Sequence, residues 1–280
     1  MKKIRLYWWN SKPNIGDYAS YYIVSHLFNG EVVHKLPYLS VKRLLKQTLL
    51  FLIRKGPYPQ YKEYLFPWKN ILFGIGSILD FATKKSIVWG SGFREPYSKT
   101  KANRFVLVRG KLSRDKIGDP TLPIGDPALI LPRIYMPKVK NSKNHIVIIP
   151  HFNDYNYFFS NYGSLFTILK IESNNIEHFI DEIANSDYVL STSLHGLIIS
   201  HAYGVPALWI KKGDIDSSDF KFKDYFSSVG INYYKPFEDI EELLSDKRRI
   251  LTLFDEYKKH SSINVNLQII QNDIIKSFPY

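Results

Sequence analysis

Short apolar runs alternate with longer stretches of helical periodicity along most of the chain. The runs are bounded by glycine, proline and asparagine and have the length of buried strands. Helical stretches between such strands are typical of parallel βαβ units, so the pattern predicts an α/β fold with mostly parallel sheets. The predicted strands are 4–9, 71–74, 86–89, 105–108, 145–149, 188–191 and 207–210.

The stretch LPRIYMPKVKNSKN at 131–144 interrupts this alternation with two prolines and a basic turn, directly before the apolar run HIVIIP. We place a domain boundary there, with an N-terminal lobe over 1–135 and a C-terminal lobe over 136–280 whose last helices pack back. Two Rossmann-like lobes would then face each other across a central cleft. Ligands of parallel sheets bind beyond the carboxyl ends of the strands, so the strand-to-helix loops are expected to carry the chemistry.

The most informative of these loops lies within SDYVLSTSLHGLIISHAYGVPALWI at 186–210, which reads as strand, loop, helix, turn and strand. Ser193 precedes the helix as a capping residue, and Gly204 and Pro206 end it. His195 stands in the first turn, where the positive end of the helix dipole favours a neutral imidazole. The alternative is an ordinary connection whose serines only cap a helix and whose histidine satisfies a backbone carbonyl.

The same loop predicts an anion-binding site. Backbone N–H groups at a helix N-terminus are free to bind a negatively charged group, and the hydroxyls of the preceding loop lie beside them. The predicted site is built from Ser191, Thr192, Ser193, Leu194, His195 and Gly196.

The pattern Ser-x-x-Leu-His-Gly, followed by an apolar helix and Gly-Val-Pro, resembles the hallmark of polysaccharide pyruvyl transferases. The resemblance implies a GT-B-like fold and transfer of a pyruvyl group from phosphoenolpyruvate to a sugar, usually as a cyclic ketal on two hydroxyls. Further matching stretches follow in the family's order: Asn14-Ile15-Gly16-Asp17, Gly74-Ile75-Gly76-Ser77-Ile78-Leu79, Trp89-Gly90-Ser91-Gly92, Val108-Arg109-Gly110 with Ser113, and Gly125-Asp126-Pro127.

This chemistry needs proton transfer and cations that hold the donor's carboxylate and phosphate. We expect His195, Arg109 and His151 to be catalytic, since histidine titrates near neutral pH and the planar fork of arginine binds such anions in bidentate fashion. The alternatives are a solvent-facing strand end for Arg109 and a turn histidine without a chemical role for His151.

The C-terminal lobe is expected to bind the donor through Ser191, Ser193, Leu194, Gly196 and Lys211. The N-terminal lobe is expected to bind the acceptor through Asn14, Gly16, Asp17, Gly76, Ser77 and Ser91, although Asp17 has helix capping as an alternative role.

One position departs from the family pattern. Many members carry arginine two places before the histidine, where this chain has Ser193. Either another cation supplies the charge, with Arg109, His151 and Lys211 as the candidates, or the activity differs.

Composition narrows the remaining choices. The chain contains no cysteine, so cysteine nucleophiles, disulfides and thiolate metal sites are excluded, and no metal site or cofactor is predicted. The formal net charge of +12 attracts anions, but no nucleic-acid-binding motif is present. The glycine pairs fit no complete dinucleotide fingerprint, and there is no P-loop. The N-terminus lacks the apolar run of a secretory signal, so a cytoplasmic location is expected.

A basic amphipathic segment at 41–68 suits either an inner membrane face or packing on the first sheet. Peripheral membrane contact would help to present a lipid-linked oligosaccharide as the acceptor. Two other functions stay open: a glycosyltransferase of the same GT-B-like shape that uses a sugar nucleotide, and a non-catalytic glycan-binding relative.

Overall fold

The computed structural model describes residues 2–37, 41–56, 69–138, 145–213 and 219–280. These residues form two sheets in which every pairing is parallel. The first sheet has the order β2-β1-β3-β4-β5, with β1 at Lys3–Tyr7, β2 at Glu31–His34, β3 at Ile71–Phe73, β4 at Ser86–Trp89 and β5 at Arg104–Leu107. The second has the order β7-β6-β8-β9, with β6 at Ile146–Ile149, β7 at Thr167–Ile168, β8 at Tyr188–Ser191 and β9 at Ala207–Trp209.

Helices lie in most of the connections between parallel strands, whereas the described connections from β3 to β4 and from β4 to β5 contain no α-helix. In chain order the described α-helices are Ile15–Leu27, Val41–Leu52, Lys111–Ile117, Tyr155–Tyr162, Ile176–Ala184, Leu194–Ala202, Phe220–Ser228, Ile240–Leu244, Lys247–Glu256 and Leu267–Lys276. Short 3₁₀ segments lie at Leu79–Phe81 and Pro127–Arg133. None of the described helices is long and apolar enough to cross a membrane.

The predicted α/β class with parallel sheets is confirmed, and the two sheets accord with a two-lobed GT-B-like arrangement. Every predicted strand is present within two residues of its predicted bounds. Two edge strands, Glu31–His34 and Thr167–Ile168, were not predicted. Both are short and only partly buried, so their sequences lack the apolar run that marks the central strands. The domain boundary at 135/136 stays a prediction.

The segment Pro127–Arg133 joins the two sheets into one apolar core. Its residues 128–131 are fully buried and pack against Ile15–Leu27 of the first half and Leu194–Ala202 of the second. Leu267–Lys276 covers the same segment, and the indole N–H of Trp89 donates to the Ile274 carbonyl at 3.0 Å.

A buried ion pair makes a second link. Arg109, at the end of the first sheet, donates from Nε to Asp224 Oδ2 at 3.0 Å, and Asp224 lies on Phe220–Ser228. The same carboxylate accepts from the backbone N–H of Ser113 at 2.8 Å and from its hydroxyl at 2.6 Å. Gly110 permits this approach, because a Cβ there would stand 1.8 Å from the Asp224 carbonyl oxygen. The helix Phe220–Ser228 is therefore fixed against the first sheet.

Candidate functional site

A cleft of about 400 Å³ lies beyond the carboxyl ends of the strands, between loops of the first sheet and loops of the second. Residues predicted from the sequence supply half of its wall: Asn14, Asp17, Gly76, Ser77, His151, Ser193, Leu194 and His195. The other half was not predicted: Trp9, Ile78, Asp80, Phe81, Arg94, Phe152, Asn153 and Lys221. The structure thus brings both predicted halves of the site to one place.

A larger groove of about 560 Å³ lies along Ile240–Leu244 and Lys247–Glu256. Within this groove Arg249 pairs with Glu242, and no predicted site residue lines it. The smaller cleft is lined by loops that follow strands of both sheets, where ligands of parallel sheets bind. The smaller cleft is therefore the candidate site.

His195 occupies the centre of the cleft, in the first turn of Leu194–Ala202, and directly contacts the first turn of Ile15–Leu27. A Cβ built on Gly16 would lie 2.1 Å from Nδ1 of His195, so only glycine leaves room for the imidazole. Asn14 caps this opposing helix by accepting from the backbone N–H of Gly16 at 2.9 Å. The helix begins at Ile15, and the capping residue is Asn14 rather than Asp17.

Burial, followed by the positive charges of Arg109 and Lys221, lowers the pKa of His195 to about 3. The ring is therefore neutral at pH 7, as expected, but it does not titrate near neutral pH as assumed from the sequence. Burial rather than the helix dipole is the main cause. Its Nε2 is buried and makes no hydrogen bond with any residue that the structure describes. Ser193 stands at the capping position, but its side chain makes no capping hydrogen bond.

His151 lies on the same wall of the cleft, directly after β6. Its backbone N–H donates to Thr192 Oγ1 at 2.7 Å, and that hydroxyl donates to Asp154 Oδ2 at 2.9 Å. Burial and the charges of Lys221 and Arg94 lower the pKa of the imidazole to about 4. Both histidines of the cleft are thus held in the neutral form.

Asp17, in the first turn of Ile15–Leu27, lines the same cleft as the two histidines. Burial raises the pKa of its carboxyl group from 3.8 to about 7, so the protonated and ionised forms coexist at neutral pH. Gly76 stands opposite with φ of 114°, a left-handed conformation that favours glycine, and a Cβ there would lie 3.7 Å from Asp17 Oδ1. A carboxyl group tuned to neutral pH beside neutral imidazoles suits proton transfer.

Arg109 lies behind the cleft and not on its surface. Its guanidinium is almost completely buried and donates to Ser77 Oγ at 2.6 Å and to the Phe93 carbonyl at 2.7 Å, in addition to Asp224. Ser77 lines the cleft, so Arg109 reaches the site through that hydroxyl and through its charge. Its predicted catalytic role stays a prediction.

Two cations that sequence analysis missed line the cleft. Arg94 follows the glycine-rich turn after β4, with Nε 3.9 Å from Glu95 Oε1. Lys221 stands in the first turn of Phe220–Ser228, and burial followed by the charges of Arg109 and Arg94 lowers its pKa to about 8. The arginine could have been found as a continuation of the Gly90-Ser91-Gly92 motif. The lysine sits in FKFK, which has the pattern of a solvated helix face, so no sequence signal marks it.

Aromatic rings close one end of the cleft. Trp9 from the first half and Phe152 from the second stack with 6.2 Å between ring centroids and 20° between planes. Lys12 Nζ lies 5.0 Å from the centroid of Phe152. Flat apolar rings beside polar groups are suited to a sugar ring, which has both kinds of surface.

Four other predicted residues support the loops without lining the cleft. Ser191 Oγ donates to the Ile149 carbonyl at 2.7 Å and accepts from the backbone N–H of Ser193 at 3.0 Å. Gly196 leaves space for that hydroxyl, since a Cβ would lie 2.3 Å from it. Ser91 is buried and donates to the Gly74 carbonyl, and Lys211 Nζ lies 3.5 Å from Glu238 Oε1.

The contact between Gly16 and the imidazole generates a prediction about stability. Gly16→Ala is expected to lower the free energy of unfolding by about 1–3 kcal/mol, because the new methyl group overlaps the ring of His195. In a His195→Ala background the same change is expected to be neutral or stabilising, since the three nearest atoms all belong to that ring. Urea unfolding of the four proteins measures this coupling, and additive effects of the two substitutions would contradict the geometry.

The raised pKa of Asp17 predicts how stability changes with pH. Between its ordinary pKa of 3.8 and about 7, the folded protein keeps a proton that the unfolded chain has lost, so this group destabilises the fold increasingly as pH rises. Asp17→Asn removes this effect. The free energy of unfolding of the variant minus that of the parent is therefore expected to be larger at pH 8 than at pH 5, by about 1–3 kcal/mol. Asp255→Asn, on an exposed helix face, is the control. Unfolding curves that shift equally with pH for the parent and Asp17→Asn would contradict the assignment.

Comparison with known proteins gives the chain its relatives. A solved structure of the wall teichoic acid polymerase TagF is 10% identical, with a TM-score of 0.37 over 99% of this chain and 90% of that one, which is too remote to support an argument. The uncharacterized protein L143 of Acanthamoeba polyphaga mimivirus is 26% identical over 172 residues, which cover 56% of this chain and 59% of that relative. The profile of the polysaccharide pyruvyl transferase family matches residues 14–211, which include Asn14, Asp17, Arg109, His151 and His195. Because this match covers more than half of the chain, the protein belongs to the polysaccharide pyruvyl transferase family.

Proposed function

We propose that the protein transfers a pyruvyl group from phosphoenolpyruvate to a sugar of a bacterial surface polysaccharide, or of its lipid-linked precursor, and forms a ketal. One observation carries the proposal: a single cleft holds two neutral imidazoles, a carboxyl group with a pKa of about 7 and two cations. Family membership supports a transferase that acts on polysaccharide. The reaction needs proton transfer and cations that hold the anionic groups of the donor, and these groups can supply both.

The donor is proposed to lie against the loops of the second sheet. Its phosphate and carboxylate would face the positive side of the cleft, near His151, Ser193 and the N-terminus of Leu194–Ala202. Arg109 would contribute from behind, by orienting the Ser77 hydroxyl and by adding positive charge. No cofactor is needed for this chemistry.

The acceptor is proposed to lie against the first sheet. Asn14 and Asp17 offer hydrogen bonds to sugar hydroxyls, and the rings of Trp9 and Phe152 give the sugar an apolar surface to stack on. Asp17 is half ionised near pH 7 and can accept the proton of an attacking hydroxyl. This division places the attacking oxygen on one wall and the donor carbon on the other.

The bonds and protons balance in two stages. The bound anionic donor raises the pKa of the His195 imidazole, which then takes up a proton. The methylene carbon of the donor receives this proton, and a sugar hydroxyl attacks the adjacent carbon while Asp17 takes the proton of that hydroxyl. A second hydroxyl of the sugar then replaces the phosphate on that carbon and releases its own proton to the leaving group. The products are a cyclic ketal that carries the carboxylate and free inorganic phosphate.

The proposal predicts release of phosphate from phosphoenolpyruvate only when a glycan acceptor is present. Mass spectrometry of the acceptor is expected to show the gain of one pyruvyl ketal. His195→Ala is expected to lower the rate by roughly 10²–10⁴-fold, because it removes the group that protonates the methylene carbon. His178→Ala, on an exposed helix face, is the matched control.

Two results would overturn the assignment. Full activity of His195→Ala would remove the histidine from the mechanism. Stabilisation by a sugar nucleotide but not by phosphoenolpyruvate, measured as a shift of the unfolding temperature, would instead favour the glycosyltransferase alternative.

We also propose that the protein contacts an anionic membrane through Val41–Leu52, which would suit a lipid-linked acceptor. Leu45, Leu49 and Leu52 recur on one face of this helix and are 65%, 60% and 71% exposed, so the apolar face points outward. Lys46, Arg54 and Lys55 are exposed beside it. Basic residues around an apolar stripe are typical of interfacial helices. The rest of the predicted membrane segment, residues 57–68, lies outside the described residues.

Vesicle flotation tests this surface. The protein is expected to float with vesicles that contain anionic phosphatidylserine at low salt, and a variant with serine at Leu45, Leu49 and Leu52 is expected to stay in the soluble fraction. A control variant with serine at Phe159, Leu165 and Ile269 removes similarly exposed apolar side chains elsewhere. Equal flotation of the two variants, or no flotation of the parent, would contradict the proposal.

A further inference from the structure

We propose that Lys221 is the residue that binds the anionic group of the donor in the cleft. The identity of the donor rests on the function proposed above, whereas the anion-binding role follows from the cleft itself. Lys221 lines the cleft together with both histidines.

The helix that carries Lys221 is fixed by two contacts of the residues that follow the lysine. Three residues further along the helix, the Asp224 carboxylate bonds to Arg109 and Ser113. Next to the lysine, Phe222 stacks on Trp209 with 3.9 Å between ring centroids and 12° between planes. The start of this helix cannot shift without breaking these contacts, so the backbone that carries the Lys221 side chain is held beside the cleft before any ligand arrives.

The charge of Lys221 is not neutralised by the protein. Within the described residues no carboxylate lies at ion-pair distance from its Nζ, which lies 5.3 Å from the centroid of the Phe222 ring. Burial, followed by the charges of Arg109 and Arg94, lowers its pKa, and the charge of the Glu95 carboxylate opposes this shift. Partly buried charges are normally paired, so a lone ammonium that faces a cleft between neutral imidazoles marks the position of an anionic ligand.

The other candidates for this charge are occupied or neutral. The Arg109 guanidinium is bonded to Asp224, Ser77 and the Phe93 carbonyl, and Lys211 lies 3.5 Å from Glu238. The His151 imidazole, whose pKa is about 4, carries no charge at pH 7. Arg94, the second cation of the cleft wall, pairs with Glu95, with 3.9 Å between Nε and Oε1. Lys221 is therefore the cation that we assign to the charge absent at Ser193.

Anion binding at this lysine would also prepare the acid. The positive charge of Lys221 contributes to the low pKa of both His151 and His195. A phosphate or carboxylate that neutralises this charge raises both values, because an anion beside an imidazole favours its protonated form. Binding of the donor would thus cause His195 to take up the proton that it later transfers to the donor.

Calorimetric titration of the full chain with inorganic phosphate and with phosphoenolpyruvate tests the inference. Lys221→Gln is expected to raise the Kd for both probes by at least about tenfold, which corresponds to ~1.4 kcal/mol, and Lys221→Arg is expected to keep most of the affinity. Lys223→Gln removes the same charge from the same helix and is the control, since its Nζ lies over Tyr233 at 4.2 Å and not in the cleft. Titration in buffers of different ionisation enthalpy is expected to show proton uptake by the parent and not by Lys221→Gln.

Each remaining outcome has one meaning. An unchanged Kd in Lys221→Gln, or an equal loss in Lys223→Gln, would assign binding to the overall positive charge and overturn the inference. Lys221→Met preserves the apolar stem and replaces the glutamine variant if that variant is unstable. Phosphate binding that depends on Lys221 without any pyruvyl transfer by the parent would preserve the anion site and refute the function. Pyruvyl transfer by Lys221→Gln at the rate of the parent would refute the anion site and preserve the function.

Discussion

The close contact between Gly16 and the imidazole of His195 is the constraint on which the cleft depends. Two helices that follow strands of different sheets meet there at their N-termini with only a glycine between them, and the backbone N–H of Ile15 donates to the Ile171 carbonyl at 3.0 Å. Both helices direct the positive ends of their dipoles to the same space. The site is consequently a property of the pair of sheets, since neither half alone encloses it.

This geometry explains the electrostatics of the cleft. Removing side chains from water disfavours their charged forms, so Asp17 holds its proton more tightly and His195 holds one less tightly than in solution. The two shifts oppose each other, and the carboxyl group becomes the stronger base of the pair in the unliganded protein. A bound anion would change that order by acting mainly on the imidazole side, where Lys221 lies.

The sequence allowed the central strands, the loop around His195 and much of the wall to be predicted, because apolar runs and glycine positions record local requirements. Gly16 and Gly76 could be identified as site positions in this way, although their partners could not. Lys221 could not be predicted as a site residue. Its helix is brought to the cleft by the bond between Asp224 and Arg109, which are 115 residues apart in the sequence. The pairing of Arg109 was missed for the same reason: a strand-end arginine looks alike whether it faces a ligand or a buried carboxylate of a distant helix.

The bond from Trp89 to Ile274 joins positions 185 residues apart in the sequence. The segment Pro127–Arg133, which both halves share, is covered by the same helix Leu267–Lys276. Closing so long a loop costs entropy before the contacts that it creates are gained, which slows folding. During synthesis, part of the apolar surface of the first sheet therefore stays uncovered until residues 267–276 leave the ribosome. In that interval the exposed surface makes the nascent chain prone to aggregation.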